Sequence, residues 1–352
     1  MLGAKTANMQ IRGALLLFCP LLILLTGPPV TLMAQEAASS NSSRALSDSL
    51  RRVVFERGAF LGAHTAMPRW DNGYLISREV ETVEAGVPNV RLYGPSGKLA
   101  SEAAVWFPGS QRVLIYSATA TADGRIIAGG KAEKTDGTFA PFIALADQAG
   151  KMTNVIQTAG FAPVNICQAP DGTVWSFGGT GYDENSEPNP GDTLRHFDFQ
   201  KGEVGSYLSR SAFPKQLHPG PEVLAYIRCS EHEVVAYSTS AREYVETKYE
   251  NDSPHVCRTE APAGLRLVGF AAIGPKQVFG HFSHGSQNGL YYLSFNEEAG
   301  TARWLPVEGT VGAHTKLGVI IGLWGTDGGK LLVSRAEDSA GTQALHWVTP
   351  VE

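Results

Sequence analysis

Six turn signals fall along the chain at intervals of roughly fifty residues, each set between two apolar runs. They read Asn72-Gly73, Asp123-Gly124, Asp171-Gly172, Glu231-His232, Gly274-Pro275 and Asp327-Gly328. Three keep a full form of apolar run, Asp-Gly and apolar run: Ala120 to Ile127, Cys167 to Trp175 and Leu323 to Leu332. Asn-Gly and Asp-Gly accept the positive φ angles of tight hairpins, so each signal predicts two antiparallel strands joined by a short turn. A fixed period of about 40–50 residues in an all-β chain predicts a propeller, in which each period is one blade.

A second signal repeats in the same phase. Phe107-Pro108, Phe161-Ala162-Pro163, Phe213-Pro214, Ala261-Pro262 and Leu305-Pro306 stand between successive units. Proline cannot donate to a strand ladder and suits the exit from an outermost strand. The expected fold is therefore all-β, a six-bladed β-propeller over residues 50–352, with the first strand of the first unit near Phe60–Thr65. The last unit has room for only three strands, near Gly318–Trp324, Lys330–Arg335 and Ala344–Val348. The unassigned run Arg52-Val53-Val54-Phe55-Glu56 is expected to supply its outer strand, so that the last blade is closed by an N-terminal strand.

Residues 1–34 are expected to be a cleaved signal peptide. Lys5 and Arg12 precede an apolar core from Ala14 to Gly27, too short for a membrane span, and Ala34 offers a small residue at the cleavage point. The Ser/Ala/Asn-rich stretch 35–49 reads as a disordered linker. Glycine is 39 of 352 residues, as many tight turns require. A net charge of −5 without a Lys/Arg cluster after the signal argues against nucleic acid as a partner and against membrane insertion of the mature chain. Cys167, Cys229 and Cys257 remain after cleavage, enough for one disulfide in an oxidising compartment. Cys229 and Cys257 share a repeat and are the expected pair.

The Asp-Gly turn between first and second strands, and a third strand ending in Asp147-x-x-Gly150, resemble the six-bladed β-propellers grouped as TolB-like or NHL-like. The resemblance covers nearly all of the mature chain and implies a periplasmic or secreted bacterial protein. It leaves the activity open, because this fold carries lactonases, lyases, quinoprotein dehydrogenases, scaffolds and ligand-binding modules.

Binding sites on such a scaffold are expected on loops at one mouth of the central channel. The loop Gly178 to Thr193 carries Asp183, Glu184, Glu187 and Asp192, oxygen donors that suit a hard cation, though their spacing fits no EF-hand and Pro188 and Pro190 interrupt them. His281 and His284, with Ser283, Ser286 and Gln287 nearby, are expected to follow the second strand of the fifth unit. A turn would be needed to bring the two imidazoles together, with His314, His64 or Asp183 as a third ligand. Ordinary polar loop residues are the plainer reading of both groups. Trp70, Trp175, Trp304, Trp324 and Trp347 fall on expected strands, where aromatics pack between blades. Neither G-x-S-x-G nor H-E-x-x-H occurs. The expected function is non-catalytic binding of a small molecule, glycan or protein on the loop-bearing face, through Asp183, Glu184, Glu187, Asp192, His281 and His284. The alternative is a metal-dependent hydrolase or lyase with a divalent ion at the channel mouth; no cofactor is assigned.

Overall fold

The structure is a computed structural model that describes residues 45–48, 53–55, 69–180, 191–209, 226–230, 233–238, 243–248, 255–274, 276–285, 287–311, 320–325, 329–336 and 343–351. All regular elements among them are strands. β1 (Ala45–Asp48) and β2 (Val53–Phe55) come first, then β3 (Arg69–Asp71), β4 (Tyr74–Arg78), the two-residue β5 (Glu81–Thr82), β6 (Val90–Tyr93) and β7 (Leu99–Ala103). β3, β4, β6 and β7 form an antiparallel meander. The next meander is β8 (Ser110–Ala120), β9 (Ile126–Lys134), β10 (Phe139–Ala146) and β11 (Met152–Gln157), with β5 paired to the free side of β8. A third follows as β12 (Ala162–Gln168), β13 (Val174–Gly179), β14 (Asp192–Asp198) and β15 (Gly202–Ser209).

An eight-stranded sheet comes next, made of two meanders. One is β16 (Tyr226–Cys229), β17 (Glu233–Ser238), β18 (Glu243–Lys248) and β19 (His255–Glu260); the other is β20 (Arg266–Gly274), β21 (Gln277–His284), β22 (Gln287–Asn296) and β23 (Thr301–Pro306). Their last strands pair in parallel, Arg258–Glu260 against Thr301–Arg303, which removes two open edges. The final sheet holds β24 (Ile320–Gly325), β25 (Leu331–Ala336) and β26 (Gln343–Val351). As the shortage of strands there predicts, β2 pairs with β26, Val53 opposite Leu345. β1, within the stretch expected as linker, pairs with the same strand, Ala45 opposite Val351.

Hydrophobic clusters lie between successive meanders rather than within a single central core. Ile76, Val90 and Leu92 meet Val113, Ile115 and Phe142. Ile127 and Ile143 meet Ile166, Val174 and Phe197. Trp175 and Phe177 meet Ile227 and Val234, Tyr244 meets Phe270 and Phe282, and Phe279 and Leu290 meet Leu323 and Val333. Sheets buried on both faces in this way give the near-continuous apolar runs noted in the sequence. The first strands also touch in succession: β3 with β8, β8 with β12, β12 with β16, β20 with β24, and β24 back to β3. The arrangement is propeller-like, with those strands around a common axis.

The turns differ in one respect from expectation. Among the described turns only Asn72-Gly73 has positive φ at both residues, 47° and 85°. At Asp123-Gly124 only the glycine is positive, at 82°, and Gly124 N–H donates to Thr121 O at 2.9 Å while Thr121 N–H donates to Arg125 O. That is a type I turn followed by a glycine bulge, and Ala169 to Thr173 repeats it. The aspartate thus needs no positive φ, and its carboxylate accepts hydrogen bonds within the turn, from Thr121 Oγ1 at Asp123 and from Thr173 N–H and Oγ1 at Asp171. The first strand expected near Phe60–Thr65 and the turns Glu231-His232 and Asp327-Gly328 lie outside the described residues. The first described strand of the first meander is β3.

The cysteine pairing is corrected. The disulfide joins Cys167 to Cys229, with Cα atoms 5.5 Å apart, and Cys257 is a free buried thiol. Cys229 on β16 and Cys257 on β19 share a sheet, but β17 and β18 lie between them. Three strand spacings of about 4.8 Å exceed the Cα separation a disulfide allows. Cys167 on β12 instead faces the neighbouring first strand β16, so the bond ties two successive meanders together beside the axis. Burial pushes the Cys257 thiol above its usual pKa, which keeps it protonated and unreactive.

Asn89 acts as a substitute strand residue. Its side chain donates to Val105 O at 2.9 Å and accepts from Val105 N–H at 2.8 Å, at 2% exposure. Asn89→Ala would leave both backbone groups of Val105 buried without partners. We expect a loss of about 2 kcal/mol in unfolding free energy, measured by chemical denaturation. A loss of a few tenths would mean that water takes the place of the amide.

Candidate ligand site in the central channel

The first strands enclose a cavity of about 300 Å³. β3, β8, β12, β16, β20 and β24 each contribute to its wall, and β4 adds Ile76 and Arg78. The channel edge of a first strand carries backbone groups that no further strand pairs, and such an edge must be satisfied or covered. Arginine side chains do this here. Arg69 donates through Nη1 to Ile166 O at 2.7 Å and through Nη2 to Ile227 O at 3.2 Å, linking β3 to β12 and β16. Arg78 Nη1 donates to Ile115 O on β8, and Arg228 Nη1 donates to Ala272 O, joining β16 to β20. Gly325 makes the last contact feasible, because a Cβ there would overlap both Ala272 O and Arg228 Nη1.

Arg69, Arg78 and Arg228 line the wall, and among the described residues Asp71 is its one carboxylate. Asp71 accepts from Arg69 Nη2 at 3.0 Å and from Thr119 Oγ1, so its charge is engaged by Arg69. The carbonyl that holds the Arg78 guanidinium in place carries no formal charge. Burial, and then the charge of Arg69, pull the pKa of Arg78 down to about 10, a direction that reports cations held close together with little water. Trp70, Tyr116, Phe270 and Trp324 add aromatic groups to the wall. Burial pushes the Tyr116 phenol up to about 12, so it stays neutral and can donate.

Of the residues expected to bind ligand, the described ones, Asp192, His281 and His284, are not among those lining this cavity. Asp183, Glu184 and Glu187 lie outside the described residues, as do His64 and His314. Asp192 opens β14 and accepts from Ser206 Oγ at 2.6 Å. His281 and His284 do not follow the second strand of their unit, as expected, but belong to it, in β21. No turn separates them, so an odd spacing puts them on opposite faces. His281 is 3% exposed and packs on the face of β21 that meets Gly269 and Leu323, whereas His284 is exposed at the strand end. Among the described residues no group of three or more His, Cys, Asp or Glu side chains is placed to hold a metal ion. Trp70, Trp175, Trp304 and Trp324 are buried as expected, and Trp70 and Trp324 also face the channel. The side chain of Trp347 lies outside the described residues. The channel arginines escaped the sequence reading. Each sits alone at 69, 78 or 228 on a strand, and only the ring of first strands brings them together.

No protein-family model matches the chain, and no curated protein matches it. Among solved structures it is similar to a protein described as exported from Bacteroides fragilis, at 9% identity and a TM-score of 0.50, over 89% of this chain and 97% of that one. A protein of unknown function from Dyadobacter fermentans gives 12% identity and a TM-score of 0.48, over 86% and 98%. YCF48, solved with a D1 peptide, gives 10% and 0.42, over 83% and 80%. At such identities the likeness is one of fold. The chain is an all-β protein with a propeller-like arrangement of sheets.

Proposed function

We propose that the chain is a periplasmic or secreted six-bladed propeller of the TolB-like or NHL-like kind, which binds a small molecule in its central channel without catalysing a reaction. The count of six rests on the meanders that begin with β3, β8, β12, β16, β20 and β24, the eight-stranded sheet being two blades joined at their outer strands. Export is supported by the leader-like stretch 1–34 and by the similarity to a protein described as exported. No helix among the described residues is long and apolar enough to cross a membrane.

The observation that carries the binding reading is the cavity itself: every first strand contributes to its wall, and its volume lies at the lower end of the range of ligand sites. Asp192 and His284 stand at strand ends and would not be the primary contacts. A thermal-shift screen of small molecules with the purified chain tests the reading, combined with tryptophan emission. A compound that raises the melting temperature should also change emission, and the change should vanish in a Trp70→Phe, Trp324→Phe double variant that leaves Trp175 and Trp304 in place. An unaltered emission change in that variant would place the ligand outside the channel.

A further inference from the structure

We propose that the channel ligand is a small organic anion, a carboxylate or phosphate ester with an apolar body, held by Arg78 together with Arg69 and Arg228. The inference rests on the channel being the ligand site and adds the chemical class. Arg78 carries the argument. Of the five N–H groups of its guanidinium, one has an acceptor among the described residues, Ile115 O. The other four have none there, and the group lines the cavity. Arg69 spends three hydrogen bonds on Ile166 O, Asp71 and Ile227 O, so it is fixed and braced at the same wall.

A cation in a place poor in water is costly unless an opposite charge is near. Among the described lining residues Asp71 is the one carboxylate, and it is engaged by Arg69, so none of them supplies an opposite charge to Arg78. Carboxylate and phosphate oxygens match the planar donor fork of arginine and would supply the missing charge. Were Arg78 only a clamp on Ile115 O, most of its donor fork would stand beside the cavity with no acceptor among the described residues. The aromatic wall of Trp70, Tyr116 and Trp324 would pack against an apolar body, which an inorganic ion lacks.

The test uses four probes with the purified chain at constant ionic strength: benzoate, phenyl phosphate, benzyl alcohol and inorganic phosphate. Affinities are read from tryptophan emission and melting temperature. Benzoate or phenyl phosphate should bind at least tenfold more tightly than both benzyl alcohol and inorganic phosphate. Added sodium chloride should weaken the aryl anions and leave benzyl alcohol unchanged. That salt series needs no variant and stands even where a substitution fails to fold. Arg78→Met should abolish the tenfold preference, while Arg112→Met, whose guanidinium pairs with Glu133 and Glu81 away from the cavity, should retain it. Benzyl alcohol binding as tightly as benzoate would overturn the anion and leave the channel site standing. Inorganic phosphate matching phenyl phosphate would overturn the organic body. No response to any probe, in a chain that a wider screen shows to bind in the channel, would overturn the class; no channel ligand in that screen would overturn both readings.

Discussion

Replacing Cys167 and Cys229 by alanine should lower the unfolding free energy by about 4 kcal/mol, the chain-entropy figure for a disulfide that closes 62 residues. The melting temperature should fall by several degrees. The bond joins the first strands of two successive meanders, so its loss loosens the wall of the channel as well as the unfolded-state constraint. Cys257→Ala should cost far less, because that thiol is bonded to no partner cysteine. Peptide mapping of the oxidised protein decides the pairing directly. A linked pair of peptides holding Cys167 and Cys229 is expected; a Cys229–Cys257 link would contradict the structure.

The second large effect is one of pH. Burial pulls the pKa of His281 from 6.5 down to about 4, and its Nε2 has no partner among the described residues. In the unfolded chain the imidazole takes up its proton near pH 6.5, whereas in the folded chain it resists until about pH 4. The unfolded state therefore binds more protons in that window, and stability falls as pH drops from 6.5 to 4. The difference amounts to about 3 kcal/mol. His281→Leu should remove this slope and leave the stability above pH 7 little changed. Parallel stability curves for the two proteins would show that His281 gains a proton in the folded state without cost.

Glu233 acts in the opposite sense. Burial, and then the neighbouring Glu246, raise its pKa to about 7, with Lys248 and Lys276 opposing and Tyr244 nearby on β18. Its contribution is present below the unfolded value of 4.5 and is lost as pH rises through about 7. This term is common to the parent and His281→Leu, so it cancels in their difference.

Much of the scaffold could be read from the turns. Asp123-Gly124 and Asp171-Gly172 mark first-to-second strand hairpins because a glycine must take positive φ there, and that need is local. The outer strand near Val53–Phe55 followed from counting strands in the last unit. What depended on how sheets stack was not readable. Cys167 and Cys229 are 62 residues apart and meet only because β12 and β16 are neighbours around the axis. His281 was expected beyond the second strand of its unit, with Ser283, Ser286 and Gln287 nearby, yet the strand continues to His284 and packing against the next sheet buries the imidazole. The channel left no local trace. Its arginines could have been suspected from one signal, a charged residue on a strand next to a turn in the repeat, at Arg69 and Arg228.

A crystal structure of the chain with the tightest-binding aryl anion tests the account most directly. Density for its carboxylate or phosphate within hydrogen-bond distance of Arg78, with the ring against Trp70 or Trp324, is the predicted result. A channel holding only water, with the anion bound elsewhere on the surface, would contradict it.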